Sequence, residues 1–194
     1  MKSEIASMQK AKDSKKGIKM IKNINGNLFD SDANFIVHQT NCLGVMGSGV
    51  AAQVADRYPH VEKAYVKYVK HCNKNKIEML GTVQYVPVDT WAMVMVDTMK
   101  NENIEAYDSK YQYIVNLFGQ KNFGMDEQQT DLTAMKMAFL DIREKAEKIG
   151  ATVAMPYRIG SYRGGADWND VYKIIQDVFG KSSVDVEIWR YDLG

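Results

Sequence analysis

The sequence predicts an α/β fold, a central sheet with helices on both of its faces. Short apolar runs of β type (Ile18–Ile24, Phe35–Thr40, Thr82–Val88, Tyr113–Phe118, Thr152–Tyr157 and Asp185–Tyr191) recur along the chain, with segments of helical periodicity between them. Three of these runs, ending at Thr40, Phe118 and Tyr157, open into glycine-bearing loops. In open α/β sheets ligands sit beyond the carboxyl ends of the strands, so these loops are the place to look for chemistry.

Composition sets the outer bounds. A chain of 194 residues fits one domain with a sizeable core, and 45% apolar with 25% charged residues is ordinary for a globular protein. A net charge of +1 supplies no long-range field toward nucleic acid or anionic lipid. Two cysteines, Cys42 and Cys72, give no disulfide framework, and His38, His60 and His71 do not form a zinc-spaced set with them. No metal or cofactor is expected. No stretch approaches the ~20 apolar residues of a membrane span, so a cytoplasmic monomer without membrane contact is the expectation. Residues Met1 to Gly17 are lysine-rich and read as a flexible basic tail, with a short docked helix through Ile5 and Met8 as the alternative. The domain proper is placed at 18–194.

Phe35 to Ala52 is the central stretch. An apolar strand passes through His38, Gln39, Thr40 and Asn41 into a loop with Gly44, Gly47 and Gly49, and a helical pattern starts at Val50. Strand, glycine loop, helix aims backbone N–H groups and a positive helix end at an anion. It is not a P-loop, which needs a Gly-Lys-Ser/Thr helix start, and the glycine spacing does not fit a dinucleotide fingerprint. A tight turn without ligand is the alternative.

The remaining elements follow in order. Tyr58-Pro59 marks a break before a helix over Val61–Cys72. Thr82–Val88 and Trp91–Thr98 read as a hairpin turning at Asp89-Thr90, and 99–112 as an exposed insertion. The clearest helix runs from Asp131 to Ile149, with Leu132, Met135, Phe139, Ile142 and Ala146 on one face, Thr130 as its cap and Gly150 as its end. Asp167 caps a helix over Trp168–Phe179. Two helix ends facing one crevice suit a diphosphate.

Three ordered motifs resemble the macro domain, an ADP-ribose-binding α/β module. Gly26-Asn27-Leu28 resembles its opening G-D-I, with Asn27 in the place of the aspartate that holds the adenine amino group. Asn41 with Gly47-Ser48-Gly49-Val50-Ala51 resembles the loop around the distal ribose and diphosphate, and Pro156 through Trp168 the second phosphate loop. The resemblance covers Ile18 to Asp192 apart from the insertion. It implies a three-layer α/β/α fold with a central mixed sheet, and ADP-ribose or a derivative as ligand, an ADP-ribosylated macromolecule staying open as partner. The ligand-binding set it implies is Asn27, Leu28, Asn41, Cys42, Gly47, Ser48, Gly49, Val50, Gln120, Phe123, Ile159, Gly160, Ser161, Tyr162, Arg163 and Gly164.

His38-x-x-Asn41-Cys42-x-Gly44 with Arg57-Tyr58-Pro59 is similar to the branch that dephosphorylates ADP-ribose 1''-phosphate, which uses a histidine at the His38 position. A neighbouring glycohydrolase branch uses a lysine and an aspartate where this chain has Gly119-Gln120, with Lys121 just beyond, and Gly164. His38, from this resemblance, and Asp167, from its place beside Trp168 at a helix start, are the catalytic candidates. Each has an alternative: His38 as a buried histidine bonded to a neighbouring backbone group, Asp167 as a plain helix cap. Asn41 serves equally as a ribose ligand or as an Asx turn. Arg163 pairs with a phosphate or stays in solvent, Phe123 and Tyr162 stack on the ligand or cover the sheet edge, and Cys42 reads as buried filler. A non-catalytic ADP-ribose reader, a glycohydrolase, and an interaction protein working through tail and insertion are the competing functions.

Overall fold

The computed structural model describes residues 21–91 and 108–191. The basic tail expected over 1–17, the second hairpin strand beyond Trp91, and all of the 99–112 insertion except 108–112 lie outside them.

Among the described residues six strands form one sheet in the order β1 (Ile21–Asn25), β6 (Val186–Arg190), β5 (Val153–Pro156), β2 (Phe35–Asn41), β4 (Tyr113–Gln120), β3 (Val83–Pro87). All neighbours run parallel except the edge strand β3, which is antiparallel to β4. The sheet is thus mixed. The hairpin expectation needs correcting on this point: the partner of β3 among the described residues is β4, and Thr90 and Trp91 are helical.

Side chains alternate across the strands, and β2 and β4, buried on both faces, each open on an apolar run, Phe35–Val37 and Tyr113–Val115, before polar residues enter. Phe35, Val37, Val115 and Leu117 pack with Met135, Phe139 and Ile142 of α3 (Leu132–Ile149) and with Val171, Ile175 and Phe179 of α4 (Trp168–Phe179). Ile36, Ile114 and Phe118 face the other way, onto Val54 of α1 (Gly49–Arg57) and Val61, Tyr65 and Val69 of α2 (Pro59–Asn75). Two helices per face of one sheet make the three layers. The cap of α3 is Asp131, whose carboxylate accepts the Ala134 N–H at 2.9 Å, and not Thr130. Thr130 points elsewhere, as described below. Gly150 ends α3 with φ 69°, in the left-handed region where glycine carries no Cβ penalty. Among the described residues no helix is long and apolar enough to cross a membrane.

Candidate functional site

The first wall of the site grows from the end of β2. Parallel pairing with β4 shifts register between Thr40 and Asn41, and Asn41 meets Tyr65 of α2, whose hydroxyl donates to the Asn41 carbonyl at 2.6 Å and to its Oδ1 at 3.0 Å. The same Oδ1 accepts the N–H groups of Leu43 (2.9 Å) and Val45 (3.3 Å), while Nδ2 donates to the Val45 carbonyl at 2.7 Å. Asn41 is therefore an Asx turn that shapes the loop. The loop ends at Ser48, which makes no side-chain cap to α1, so that helix start keeps its N–H groups and positive pole toward the space outside.

Gln39 points to the opposite face and ties the other two loops together. Its Nε2 donates to Thr130 Oγ1 at 2.8 Å and to Gln120 Oε1, and Thr130 Oγ1 donates to the Gly160 carbonyl at 2.7 Å. Glycine is required around this amide by close approach. A Cβ on Gly119 or Gly160 would stand 2.6 or 2.7 Å from Gln39 Oε1, and one on Gly164 would overlap Thr130 Oγ1 and stand 2.5 Å from the Gly160 carbonyl. The Gly164 carbonyl in turn accepts the N–H groups of Gln129 and Thr130, both at 2.9 Å.

Between the loops lies a cleft of about 570 Å³. Of the expected residues, His38, Asn41, Gly47, Ser48, Gly49, Val50, Gln120, Phe123, Ile159, Gly160, Tyr162, Arg163 and Gly164 line it. Five stand outside. Asn27 caps a 3₁₀ turn over Leu28–Asp30, its Oδ1 accepting the Phe29 N–H at 3.1 Å. Leu28 is buried in the layer under α1 and α2, and Cys42 packs against that same layer. Ser161 lies in the third loop, off the cleft wall. Asp167 caps α4, accepting the Asn169 N–H at 2.7 Å. With a carboxylate on its first turn, α4 offers no free positive end, so α1 is the helix start left open at the cleft.

The lining also contains residues that sequence reasoning left out, among them Gln39, Met125, Tyr157 and Arg158. Arg158 had a backbone signal invisible in sequence, a left-handed φ of 61° in a non-glycine residue. Gln39 had a weak one: it belongs to the polar stretch His38–Asn41 that ends a buried strand.

A family model, the macro domain, matches residues 37–175. The chain belongs to the macro domain family. It is 28% identical over 160 residues to a DNA ADP-ribosyl glycohydrolase of Mycobacterium bovis, covering 79% of this chain and 37% of that protein. It is 27% identical over 172 residues to an ADP-ribose 1''-phosphate phosphatase of Aspergillus oryzae, covering 76% of this chain and 84% of that one. The macrodomain of Mycobacterium tuberculosis DarG superposes with a TM-score of 0.66 at 24% identity, over 88% of this chain and 97% of that one. The chain thus spans a little over a third of the curated relatives first matched, 37% of their length.

In this macro domain the described lining carries two arginines, Arg158 and Arg163, and no carboxylate, thiol or lysine. Lys121 stays exposed and off the cleft wall; its carbonyl accepts the Cys42 N–H at 3.1 Å. His38 belongs to the wall yet has no surface open to solvent, so it stands behind the first layer of atoms. Burial lowers its pKa from 6.5 to about 4, opposed in part by its hydrogen bond with Asn116, so the ring is neutral at pH 7. Burial pushes the Cys42 thiol up to about 11, which makes it an inert thiol at neutral pH.

Proposed function

We propose that the cleft binds ADP-ribose and that the protein hydrolyses an ADP-ribose derivative, ADP-ribose 1''-phosphate first. The observation that carries this is electrostatic: a cleft with two arginines, no carboxylate among its described lining residues, and the open N-terminus of α1 is built for a small anion with two phosphates. The diphosphate would lie on the α1 start and between the first and third loops, where Gly49 and Arg163 are neighbours, a Cβ on Gly49 coming within ordinary contact of Arg163 Cγ at 4.0 Å. His38 is the imidazole in the described lining; with its pKa lowered to about 4 it is a weak base at pH 7, and its part is to take a proton from the attacking water and return it to the ribose oxygen as the bond from phosphorus to that oxygen breaks. The phosphatase of Aspergillus oryzae, matched over most of its length, supports this choice of derivative. Asp167 is proposed as a cap without a catalytic part.

A reader without catalysis is the second reading, and the burial of His38 favours it. Removal of ADP-ribose from DNA, the activity in the name of the mycobacterial relative, is less well supported, because no lysine lines the described cleft. The proposed domain spans 18–194 with 1–17 as a basic tail and 99–112 as an insertion, in a cytoplasmic monomer. Calorimetric titration with ADP-ribose, followed by assays of phosphate release from ADP-ribose 1''-phosphate and of ADP-ribose release from ADP-ribosylated DNA, separates the readings. Binding with phosphate release is the expected result. Binding with no turnover selects the reader, and no binding sinks both.

A further inference from the structure

A polar rung crosses the sheet behind the cleft. The register sets His38 of β2 beside Asn116 of β4, and Asn116 opposite Gln84 of β3. The neighbouring rung on the same face, Ile36, Ile114 and Val86, is wholly apolar and buried. His38 and Asn116 have no surface open to solvent, so polar groups here need partners. They find them in series. His38 Nε2 lies 2.7 Å from Asn116 Oδ1, Asn116 Nδ2 donates to Gln84 Oε1 at 3.0 Å, and Gln84 Nε2 donates to the Ala64 carbonyl of α2 at 3.1 Å.

The far end of this chain has no choice of direction. A carbonyl only accepts, so Gln84 must turn its NH₂ to Ala64 and its oxygen to Asn116. Asn116 must then give its NH₂ to Gln84 and its oxygen to His38. Turning either amide over would press two acceptors together. Nε2 is therefore the donor, and the neutral ring carries its proton there. Nδ1 is left with a lone pair and, among the described residues, no hydrogen-bond partner. We propose that the Ala64 carbonyl, acting through Gln84 and Asn116 as positioning residues, holds His38 as the Nε2–H tautomer, so that this residue of the cleft wall keeps Nδ1 as its one uncommitted acceptor. The group His38 addresses is then a hydroxyl or water, which has a proton to give, and not a bare phosphate oxygen. The substrate consequence rests on the proposed ADP-ribose site; the tautomer itself does not.

Long-range proton–nitrogen NMR of ¹⁵N-histidine-labelled protein at pH 7, with His38→Gln assigning the signal, reads the tautomer without ligand. The expected spectrum has His38 Nε2 protonated and Nδ1 not. Gln84→Ala, outside the cleft, frees Asn116 to turn and should give a mixture of tautomers. Gln84→Glu keeps an acceptor toward Asn116 and should retain the single form. Phosphate release by Gln84→Ala should fall in kcat by roughly 10–100-fold, the range for partners that orient a functional histidine, with KM little changed and partial recovery in Gln84→Glu. A protonated Nδ1 in the wild-type protein, or an unaltered tautomer in folded Gln84→Ala, overturns the proposal. A protein with the expected tautomer that neither binds nor turns over ADP-ribose derivatives would instead fail the functional reading alone.

Discussion

Single residues in this cleft take their chemistry from burial more than from their type. His38 is held neutral, with a pKa lowered from 6.5 to about 4. In the unfolded chain the same ring binds a proton below about 6.5, so between these values the unfolded state binds more protons than the folded one. The His38 contribution to stability is complete above about pH 6.5 and is lost as pH falls toward 4, an amount of order 3 kcal/mol. Urea unfolding at pH 7 and pH 4.5 should show this drop in the wild-type protein and a smaller one in His38→Gln; equal drops in the two would mean that other groups carry the acid sensitivity. Cys42 makes the companion case. Its thiol is half-buried and raised to about 11, so iodoacetamide at pH 8 should modify it far more slowly than a model thiol. Labelling at the model rate would show that the loop opens. At this scale the sequence offered Asn41 and Asp167 two roles each, and the structure shows the structural one formed: Asn41 shapes its loop and Asp167 caps α4. Asn27, expected at the adenine, caps the first turn.

Secondary elements decide how the loops are presented. The start of α1 is open because Ser48 does not cap it, whereas α3 and α4 are closed by Asp131 and Asp167. Gly49, the first residue of α1, has φ 58°, and a β-branched side chain there costs roughly 1–2 kcal/mol in backbone energy while placing methyl groups where a phosphate would approach. Gly49→Val should remain folded, melt a few degrees lower, and lose ADP-ribose binding in calorimetry; unchanged affinity in the folded variant would remove α1 from the site. Gly164 tests the third loop. Its Cβ has no room between Thr130 and the Gly160 carbonyl, so Gly164→Ala must displace the knot centred on Gln39. We expect at least tenfold weaker ADP-ribose binding, equivalent to about 1.4 kcal/mol, with the sheet intact by circular dichroism. Affinity equal to wild type would mean that the knot does not set the loop. Helix and strand spans were largely legible in the chain, since α3 and α4 follow their apolar periodicity to within a residue. The cap of α3 was not, because Thr130 and Asp131 are both good capping types and only the pull of Gly160 and Gln39 on Thr130 separates them.

For the molecule as a whole, ligand binding should couple to stability. The three loops are joined to each other and to the strand ends by backbone hydrogen bonds such as Asp131 N–H to the Gly119 carbonyl at 2.8 Å, so filling the cleft ties them further. A ligand that binds only the folded state at one hundred times its Kd adds about 2.7 kcal/mol. For a chain of this size that corresponds to a rise in Tm of roughly 5–10 °C. Saturating ADP-ribose should produce it, and AMP, lacking the second phosphate and distal ribose, should produce a smaller one. Equal shifts would place the recognition on the shared adenosine monophosphate part.

What the sequence determined by itself is the local pattern: alternating apolar runs make strands, three-and-four spacing makes helices, and glycines in loops after β2, β4 and β5 mark where backbone comes close to something. These are properties of neighbours in the chain, and they carry the family motifs with them. What only the tertiary structure decided is which polar groups are already taken. Among the described residues β3 ends the sheet beside β4 and antiparallel to it, a placement no local pattern carries, since a short apolar run reads the same in either direction. Gln39 and the His38–Asn116–Gln84 rung are pairings across strands or loops more than 30 residues apart in the chain, which no spacing rule can register. A buried donor or acceptor must find a partner, and in this protein the search for partners settles which amides form the loops and which nitrogen of His38 is left free.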